Sequence, residues 1–442
     1  MNLLRADQDL TRHSFYAATA AMPPVQRSLK GSVDCDVAVV GGGLAGVSAA
    51  LELAERGHQV VLLEARRIGG GASGRNGGQA IHGLACDQTV IEAQLGLEDS
   101  RRIWDMTIEA LDLIRRRIER YGIACDWRDG YLGVAVGPGK ARELMASADR
   151  MERLYRYPLN RIGAKDLGRW IASPRYEAGV HDPRCGHLHP LKYVLGLARA
   201  AAAAGARIYE DSPVVRLDQG STVVLQSANG QVRARQALLA GNVYLQGLVP
   251  KLQSRVMPVG TYIVASEALE PALARSLIPC GAAVCDTNFV LDYFRLSPDT
   301  RRGDHERLLF GGRVSYTTAT PMNMAHSMRR RMLAAFPQLQ GKGVEHAWGG
   351  FVDISMNRAP DFGRLPAHQH VPNVYYLQGF SGHGLALTGL AGQLVAEAMS
   401  GDASRFDVFA RLRHRSFPGG PWLRMPALVL GTAWYRLKDA MA

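Results

Sequence analysis

Residues 36–64 read D-V-A-V-V-G-G-G-L-A-G-V-S-A-A-L-E-L-A-E-R-G-H-Q-V-V-L-L-E, and this run constrains the whole chain. The apolar stretch 37–40 has the length and β-branched content of a buried strand. Gly41, Gly43 and Gly46 then fit G-x-G-x-x-G and open a helix rich in small residues. Gly57 closes that helix, and a second apolar strand, 60–63, ends on Glu64. Each part has a physical task. Gly41 permits the tight turn, Gly43 lets a pyrophosphate approach the backbone, and Gly46 lets helix and strand pack closely. The helix N-terminus faces the phosphates with free N–H groups. Glu64, 18 residues past Gly46, is placed to accept both hydroxyls of a ribose. The expectation is a dinucleotide-binding β-α-β unit.

The chain has 442 residues, enough for two or three domains. No apolar run reaches the ~18 residues that a membrane-spanning helix needs. Residues 1–30 lack the apolar centre of a secretory signal. Six cysteines lie far apart with no C-x-x-C pair, which suggests reduced thiols and a cytoplasmic setting. The net charge of +12 would suit anionic partners, but the arginines are dispersed and no recognition motif accompanies them. Nucleic acid is therefore not an expected partner.

Residues 1–33 read as a lead-in with Phe15 and Tyr16 as anchors. Residues 68–83 hold seven glycines in sixteen positions, too many for a regular element. Ser73, Arg75, Asn76 and Gln79 stand among them, so this loop is expected to wrap closely around a ligand. Helices are expected over 90–121, 141–155, 164–171, 191–205, 322–336 and 385–400. Strands are expected over 131–136, 207–209, 214–217, 222–226, 231–235 and 237–240, the fourth and fifth joined by a turn at Asn229-Gly230. Beyond residue 255 the pattern becomes β-rich, with strands over 256–265, 289–296, 308–310, 344–351 and 374–377. A second glycine turn, G-F-S-G-H-G at 379–384, precedes the last long helix.

That second turn identifies the dinucleotide. Gly382 and Gly384 leave another helix N-terminus open to negative charge. A reduced flavin carries negative charge at N1 and O2, whereas a reduced nicotinamide is neutral, so FAD is favoured over NAD. The expected fold class is α/β in two domains: a discontinuous Rossmann-like FAD-binding domain with an inserted β-rich substrate domain. Its expected boundaries are a lead-in at 1–33, FAD-binding segments at 34–90, 186–250 and 350–404, substrate-domain segments at 91–185 and 251–349, and a tail at 405–442.

The run G-A-S-G-R-N-G-G-Q (71–79), W-G-G (348–350), R-A-P-D-F-G-R-L (358–365) and G-F-S-G-H-G (379–384) resembles the FAD-dependent D-amino-acid oxidase and sarcosine oxidase superfamily. Within it the chain is most similar to the γ-glutamylputrescine oxidase family, through G-H-L-H-P (186–190), G-N-V-Y-L (241–245), D-Y-F-R-L (292–296) and F-P-G-G (417–420). The resemblance implies that Gly41, Gly43 and Gly46 hold the pyrophosphate and Glu64 the adenosine ribose. It implies that Ala72, Ser73, Arg75, Asn76, Gly77, Gly78 and Gln79 run beside the ribityl chain and the flavin ring. Val214 would bond adenine through its backbone. Gly382, His383, Gly384 and Leu385 would stand at the pyrimidine end.

Two departures refine this expectation. Amino-acid oxidases of the superfamily carry an arginine two residues after the glycine of W-x-G, where it pairs with the substrate carboxylate. Here Phe351 and Val352 follow Gly350, and an apolar residue cannot make that pair. This favours an amine whose carboxylate is remote, such as a glutamylated polyamine, although pipecolate-type relatives also lack the arginine. Some sarcosine oxidases attach flavin through a cysteine in the C-terminal third, and no cysteine follows Cys285 here, so non-covalent FAD is expected. The implied reaction is hydride transfer from an amine carbon to flavin N5, giving aldehyde and ammonia, with oxygen or a quinone as acceptor. Tyr262, Tyr293, Arg295, Trp348 and His383 are the residues expected to line the substrate pocket, Tyr293 and Arg295 sharing one strand face.

Three other features carry weaker expectations. Cys185, His187 and His189 alternate as metal ligands on a strand would, but no fourth ligand stands near, and no metal is expected. His82 follows the flavin loop and is expected at the surface, the alternative being an approach to the flavin ring. The tail 405–442 carries seven Lys or Arg against two Asp, with apolar and aromatic residues between them. It is expected to dock on the protein's own surface, the alternative being a peripheral contact with an anionic membrane.

Overall fold

A computed structural model describes residues 3–4, 7, 14–245, 247–288, 290–315, 323–366 and 372–418. Two sheets dominate it. The first has eight strands, with the path Asp361–Arg364, Val374–Gln378, Gly230–Leu239, Gly31–Val40, Val60–Leu63 and Arg207–Tyr209. Gly31–Val40 lies at its centre, parallel to both neighbours. Arg216–Asp218 and Val223–Gln226 form an antiparallel extension on the early part of Gly230–Leu239. Val37, Ala38, Val39 and Val40 are buried on both faces, as a continuous apolar run in a covered parallel sheet requires.

Three helices pack on one face of this sheet. Leu44–Glu55 is apolar around its whole girth and almost fully buried, so it needs a covering layer. Leu387–Met399 provides that layer, and Pro190–Ala203 lies alongside. Pro190 occupies the first turn, where its missing N–H costs nothing, and the His189 side chain caps the helix by accepting from Lys192 N. The long helix Gln88–Arg120 begins on an Asp87 cap, bends at Gly96 and packs against Leu387–Met399.

The second sheet has nine strands, and all its pairings but one are antiparallel. Its path is Val344–Ser355, Val256–Ser266, Glu306–Ser315, Tyr293–Pro298, Ala283–Asp286, Arg128–Ala135, Ala178–His187 and Gln79–Ala80. Its own core includes Phe294, Phe310 and Phe336, the first two stacked at 5.4 Å. The flavin loop thus contributes a two-residue edge strand to the second sheet. Val344–Ser355 belongs wholly to this sheet, so the position 349/350 falls inside a strand.

Two local expectations change. Residues 231–235 and 237–240 form one strand, Gly230–Leu239, because pairing with Gly31–Val40 continues past the polar Gln236. The helix expected over 164–171 spans only Ala164–Leu167, and Trp170 beyond it packs against His181. Most of the tail, residues 419–442, lies outside the described residues. Its start forms the helix Ser404–Ala410, with Phe406 and Phe409 buried against Phe362.

The contact between Leu44–Glu55 and Leu387–Met399 leaves no room for a side chain at Gly392. A Cβ there would lie 2.6 Å from Ala49 N and 2.7 Å from Ala45 O. Gly392→Val is expected to cost about 1–3 kcal/mol by overpacking. A urea midpoint that does not fall would contradict this close approach.

Candidate active site

The crevice at the carboxyl ends of the first sheet's central strands has the shape of a pyrophosphate cradle. Gly41 adopts φ +111°, and a Cβ on it would lie 2.5 Å from Ala240 O. A Cβ on Gly46 would collide with Gly41 O, and one on Gly43 would meet Ser73 Oγ at 2.9 Å. Gly43 gives the helix no side-chain cap, while Ser73 Oγ accepts from Leu44 N at 2.9 Å. Glu64 stands at the end of the second strand, its Oε2 accepting from Gly42 N at 2.6 Å and its Oε1 from Arg66 N at 2.9 Å. Burial raises its pKa and the Glu210 carboxylate adds to this, while the two N–H groups act in the opposite direction. A backbone-lined cradle ending on a held carboxylate fits the pyrophosphate and ribose of FAD. Val214 is half-buried and packs against the core cluster that includes Leu63 and Tyr209.

The loop after Glu64 offers its backbone, because its side chains turn inward. Asn76 Nδ2 donates to Ala72 O and Ser73 O, and its Oδ1 accepts from Gly78 N at 2.8 Å. Arg75 is buried, forms a bidentate ion pair with Asp7, and donates to Gly71 O and Gly349 O. Gln79 Nε2 donates to Val284 O. Arg295, expected to line the substrate pocket, grips this loop instead. Its Nε donates to Gly77 O at 2.7 Å, and its Nη2 donates to Leu188 O at 2.8 Å and to Tyr16 Oη at 3.0 Å. Trp348 is fully buried and donates its indole N–H to Arg75 O at 2.9 Å. Tyr262 is buried in an apolar cluster with Leu3, Val243 and Phe351. Of the five residues expected at the pocket, Tyr293 and His383 are half-buried, and the Tyr293 ring lies against Gly77.

The second glycine turn hangs from a carboxylate that the sequence reading did not single out. Asp353 Oδ2 accepts from Gly379 N at 2.5 Å, and Asp353 O accepts from Ser381 N at 3.0 Å. Gly379, Ser381 and Gly382 all have positive φ, so the turn is tight. No side chain caps the helix that follows. Leu385 is buried, whereas Gly382 is exposed. His383 Nε2 donates to His82 O at 2.8 Å, joining the two glycine segments.

His82 is not a surface residue. Its ring packs between Trp104 and Tyr157, with Nε2 at 3.3 Å from Asp182 Oδ2. Helix Gln88–Arg120, strand Ala178–His187 and the chain after helix Gly137–Tyr155 converge there, which no local motif announces. His187 and His189 do not converge with Cys185. His187 Nε2 bonds Gly281 O, and His189 bonds Thr19 and caps its helix. Ligand atoms of His82, Asp182 and Cys185 instead lie within 4.8 Å of one another. The Arg184 guanidinium, 3.9 Å from Asp182, opposes a metal cation there.

Asp353 gives a pH-dependent test of the turn. Burial pushes its pKa from 3.8 up to about 6, against the lowering effect of the N–H groups of Gly379, Phe380 and Ser381. Between pH 4 and 6 the folded chain therefore holds a proton that the unfolded chain has lost. The contribution of Asp353 to stability falls as pH rises through that window. Relative to Asp353→Asn, the wild type is expected to gain up to about 3 kcal/mol as pH drops from 7 to 4. A stability difference that stays flat with pH would rule out this titration.

Comparisons with known proteins give the family of the chain. The family described as "FAD dependent oxidoreductase" (DAO) matches residues 36–398. Gamma-glutamylputrescine oxidoreductase of Escherichia coli K12 is 43% identical over 98% of this chain and 100% of its own length. The probable oxidoreductase OrdL of Haemophilus influenzae is 39% identical over 91% of this chain and 92% of its own. Glycine oxidase from Geobacillus kaustophilus superposes with TM-score 0.70 at 23% identity, covering 87% of this chain and all of that one, which speaks for the fold alone. No helix among the described residues is long and apolar enough to cross a membrane. The chain belongs to the FAD dependent oxidoreductase (DAO) family and is an FAD-dependent oxidoreductase acting on amines.

Proposed function

We propose that the protein oxidises γ-glutamylputrescine or a similar glutamylated polyamine to the aldehyde, ammonia and hydrogen peroxide, in the cytoplasm. The observation that carries this reading is Val352. On strand Val344–Ser355 the side chains alternate, so Val352 shares the face of Trp348 and Gly350, the face that meets the flavin loop at Arg75. A carboxylate next to the reacting carbon would find an isopropyl group there. A substrate whose carboxylate lies several bonds away avoids that mismatch. The full-length relative that acts on γ-glutamylputrescine supports the same choice.

Bound FAD supplies a two-electron acceptor that takes a hydride from the carbon next to the amine nitrogen. Around it, Gly41, Gly43, Gly46 and Glu64 hold the AMP half. The backbone of residues 72–79, with Gly382, His383, Gly384 and Leu385, would hold the flavin half. Arg295, Trp348 and Asn76 fix the loop, and the rings of Tyr293 and Trp348 keep water away from it. The cofactor is held without a covalent bond.

A second reading has the protein pass electrons from a cyclic amino acid such as pipecolate to a membrane quinone, with the basic tail as its membrane contact. One experiment separates the two. The holoenzyme is mixed anaerobically with γ-glutamylputrescine, putrescine, glycine and pipecolate, and flavin bleaching is followed. Oxygen or a soluble quinone is then admitted and peroxide is assayed. Fastest bleaching by γ-glutamylputrescine, with one peroxide per turnover, is the expected result. Fastest bleaching by pipecolate, with quinone reduction and no peroxide, would replace it. Acid precipitation is expected to leave the yellow colour in the supernatant, and colour in the pellet would mean covalent attachment.

A further inference from the structure

Amine oxidation needs a step that no residue above performs. A polyamine reaches the protein as an ammonium ion, and the carbon beside an ammonium cannot release hydride until the nitrogen recovers its lone pair. The cluster around His82 has the features of a base for that step.

Asp182 is 1% exposed and is surrounded by donors: Tyr157 Oη at 2.5 Å, Arg184 N at 2.9 Å, Cys185 Sγ at 3.4 Å and His82 Nε2 at 3.3 Å. The Asp182 oxygen is the acceptor that faces Nε2, which assigns the His82 proton to Nε2 and the lone pair to Nδ1. That Nδ1 is buried and has no hydrogen-bond partner among the described residues. A buried acceptor left unpaired is costly, and such atoms recur where a ligand completes them. The position agrees: His82 lies three residues past Gln79, and its carbonyl holds His383 Nε2. One residue thus joins both glycine segments assigned to the flavin. Trp104 and Tyr157, with ring centroids 4.9 and 5.2 Å from the imidazole, pack against it and fix its plane.

We propose that His82, oriented by Asp182, is a catalytic base that takes the proton from the substrate ammonium before oxidation. The inference rests on the amine-oxidation reading above. In the step, an N–H bond of the ammonium breaks and its electron pair stays on nitrogen. A bond forms between the proton and Nδ1. The imidazolium then keeps Nε2–H against the Asp182 carboxylate, which offsets its charge, and the proton passes on to water. This is the arrangement of a base held by a third group, as in nucleophile–base–acid sites. The resting state is correct for it. Burial lowers the His82 pKa to about 4; Asp182 raises it, while His383 and Arg184 lower it further. Tyr157 and Cys185, which also face the cluster, are both shifted upward and so are neutral. At pH 7 the imidazole is therefore neutral with its lone pair unprotonated, and because burial weakens it as a base, the step depends on the Asp182 carboxylate holding the imidazolium.

The test uses holoenzyme and stopped-flow reduction by γ-glutamylputrescine at pH 7 and pH 10. His82→Asn and His82→Gln are compared with wild type after their FAD content is checked. Both variants are expected to lose about 10²-fold or more in the reduction rate at pH 7 and less than about 10-fold at pH 10, where the substrate is largely free amine. Imidazole added to His82→Asn is expected to restore part of the rate at pH 7. Equal losses at both pH values, or no loss at pH 7, would overturn the proposal. A second measurement needs no substrate: the ¹⁵N shifts of histidine-labelled holoenzyme, with His82 assigned from the variant. They are expected to show Nε2 protonated and Nδ1 bare at pH 7. A proton on Nδ1 would overturn the proposal, whereas failure of every amine to bleach the wild type would count against the substrate reading alone.

Discussion

Arg295 is buried to 1% exposure, and among the described residues its side chain forms no ion pair. A guanidinium stays charged wherever it is placed, and burying one costs several kcal/mol unless its donors are met. Here the carbonyls of Gly77, Leu188 and Leu296 and the Tyr16 hydroxyl meet them. Those acceptors come from the flavin loop, the end of a second-sheet strand, Arg295's own strand and the N-terminal helix Phe15–Thr19. Moving any of them would strand a buried charge, so the loop has one position only. Gly78 follows from this. It has φ +74°, and a Cβ on it would meet the Arg295 guanidinium at 2.6 Å.

The grip extends through aromatic contacts. Tyr16 meets Trp348 edge to face at 5.3 Å, and the Trp348 indole holds Arg75 O. Arg75 in turn reaches back to Asp7, whose carboxylate also accepts from Tyr244 Oη at 2.8 Å. The N-terminal residues are therefore part of the scaffold behind the flavin loop. On the opposite side, Asp353 does the same work for the second glycine turn. Both loops keep an irregular main chain because buried side chains behind them meet its polar groups.

How much of this could be read from the chain depends on the range of each constraint. The unit around Gly41, Gly43, Gly46 and Glu64 was legible because its strand, turn, helix and acid lie within 29 residues. Tyr16 could be marked as an anchor because a large aromatic in a polar lead-in has few other uses. The alternation placing Tyr293 and Arg295 together was also legible, but the direction of Arg295 was not, since its partners lie 107 to 279 residues away. Asp7 and Asp353 sit in no motif. Each acquires its role from a backbone or guanidinium donor 68 and 26 residues distant. His82 looked peripheral for the same reason, as Trp104, Tyr157 and Asp182 reach it from three separate elements.

The charges around the flavin loop show what such a site admits. Burial pushes His187 to about 3 and His189 to about 2, and it lowers His82 and His383 as well, so four imidazoles near the loop are neutral at pH 7. Arg75 is cancelled by Asp7, and Arg295 is enclosed by carbonyls. Neither arginine is thereby free for a substrate carboxylate, and Val352 adds no cation. In the proposed step the bare Nδ1 of His82, backed by the buried Asp182, meets the incoming ammonium. An α-amino acid would bring its negative charge within two bonds of the reacting nitrogen, into this same uncompensated ground. A γ-glutamyl amine, the proposed substrate, carries its carboxylate several bonds away from the reacting nitrogen. On the proposed reading, Val352 and the His82–Asp182 pair both favour an amine whose carboxylate is remote from the reacting carbon.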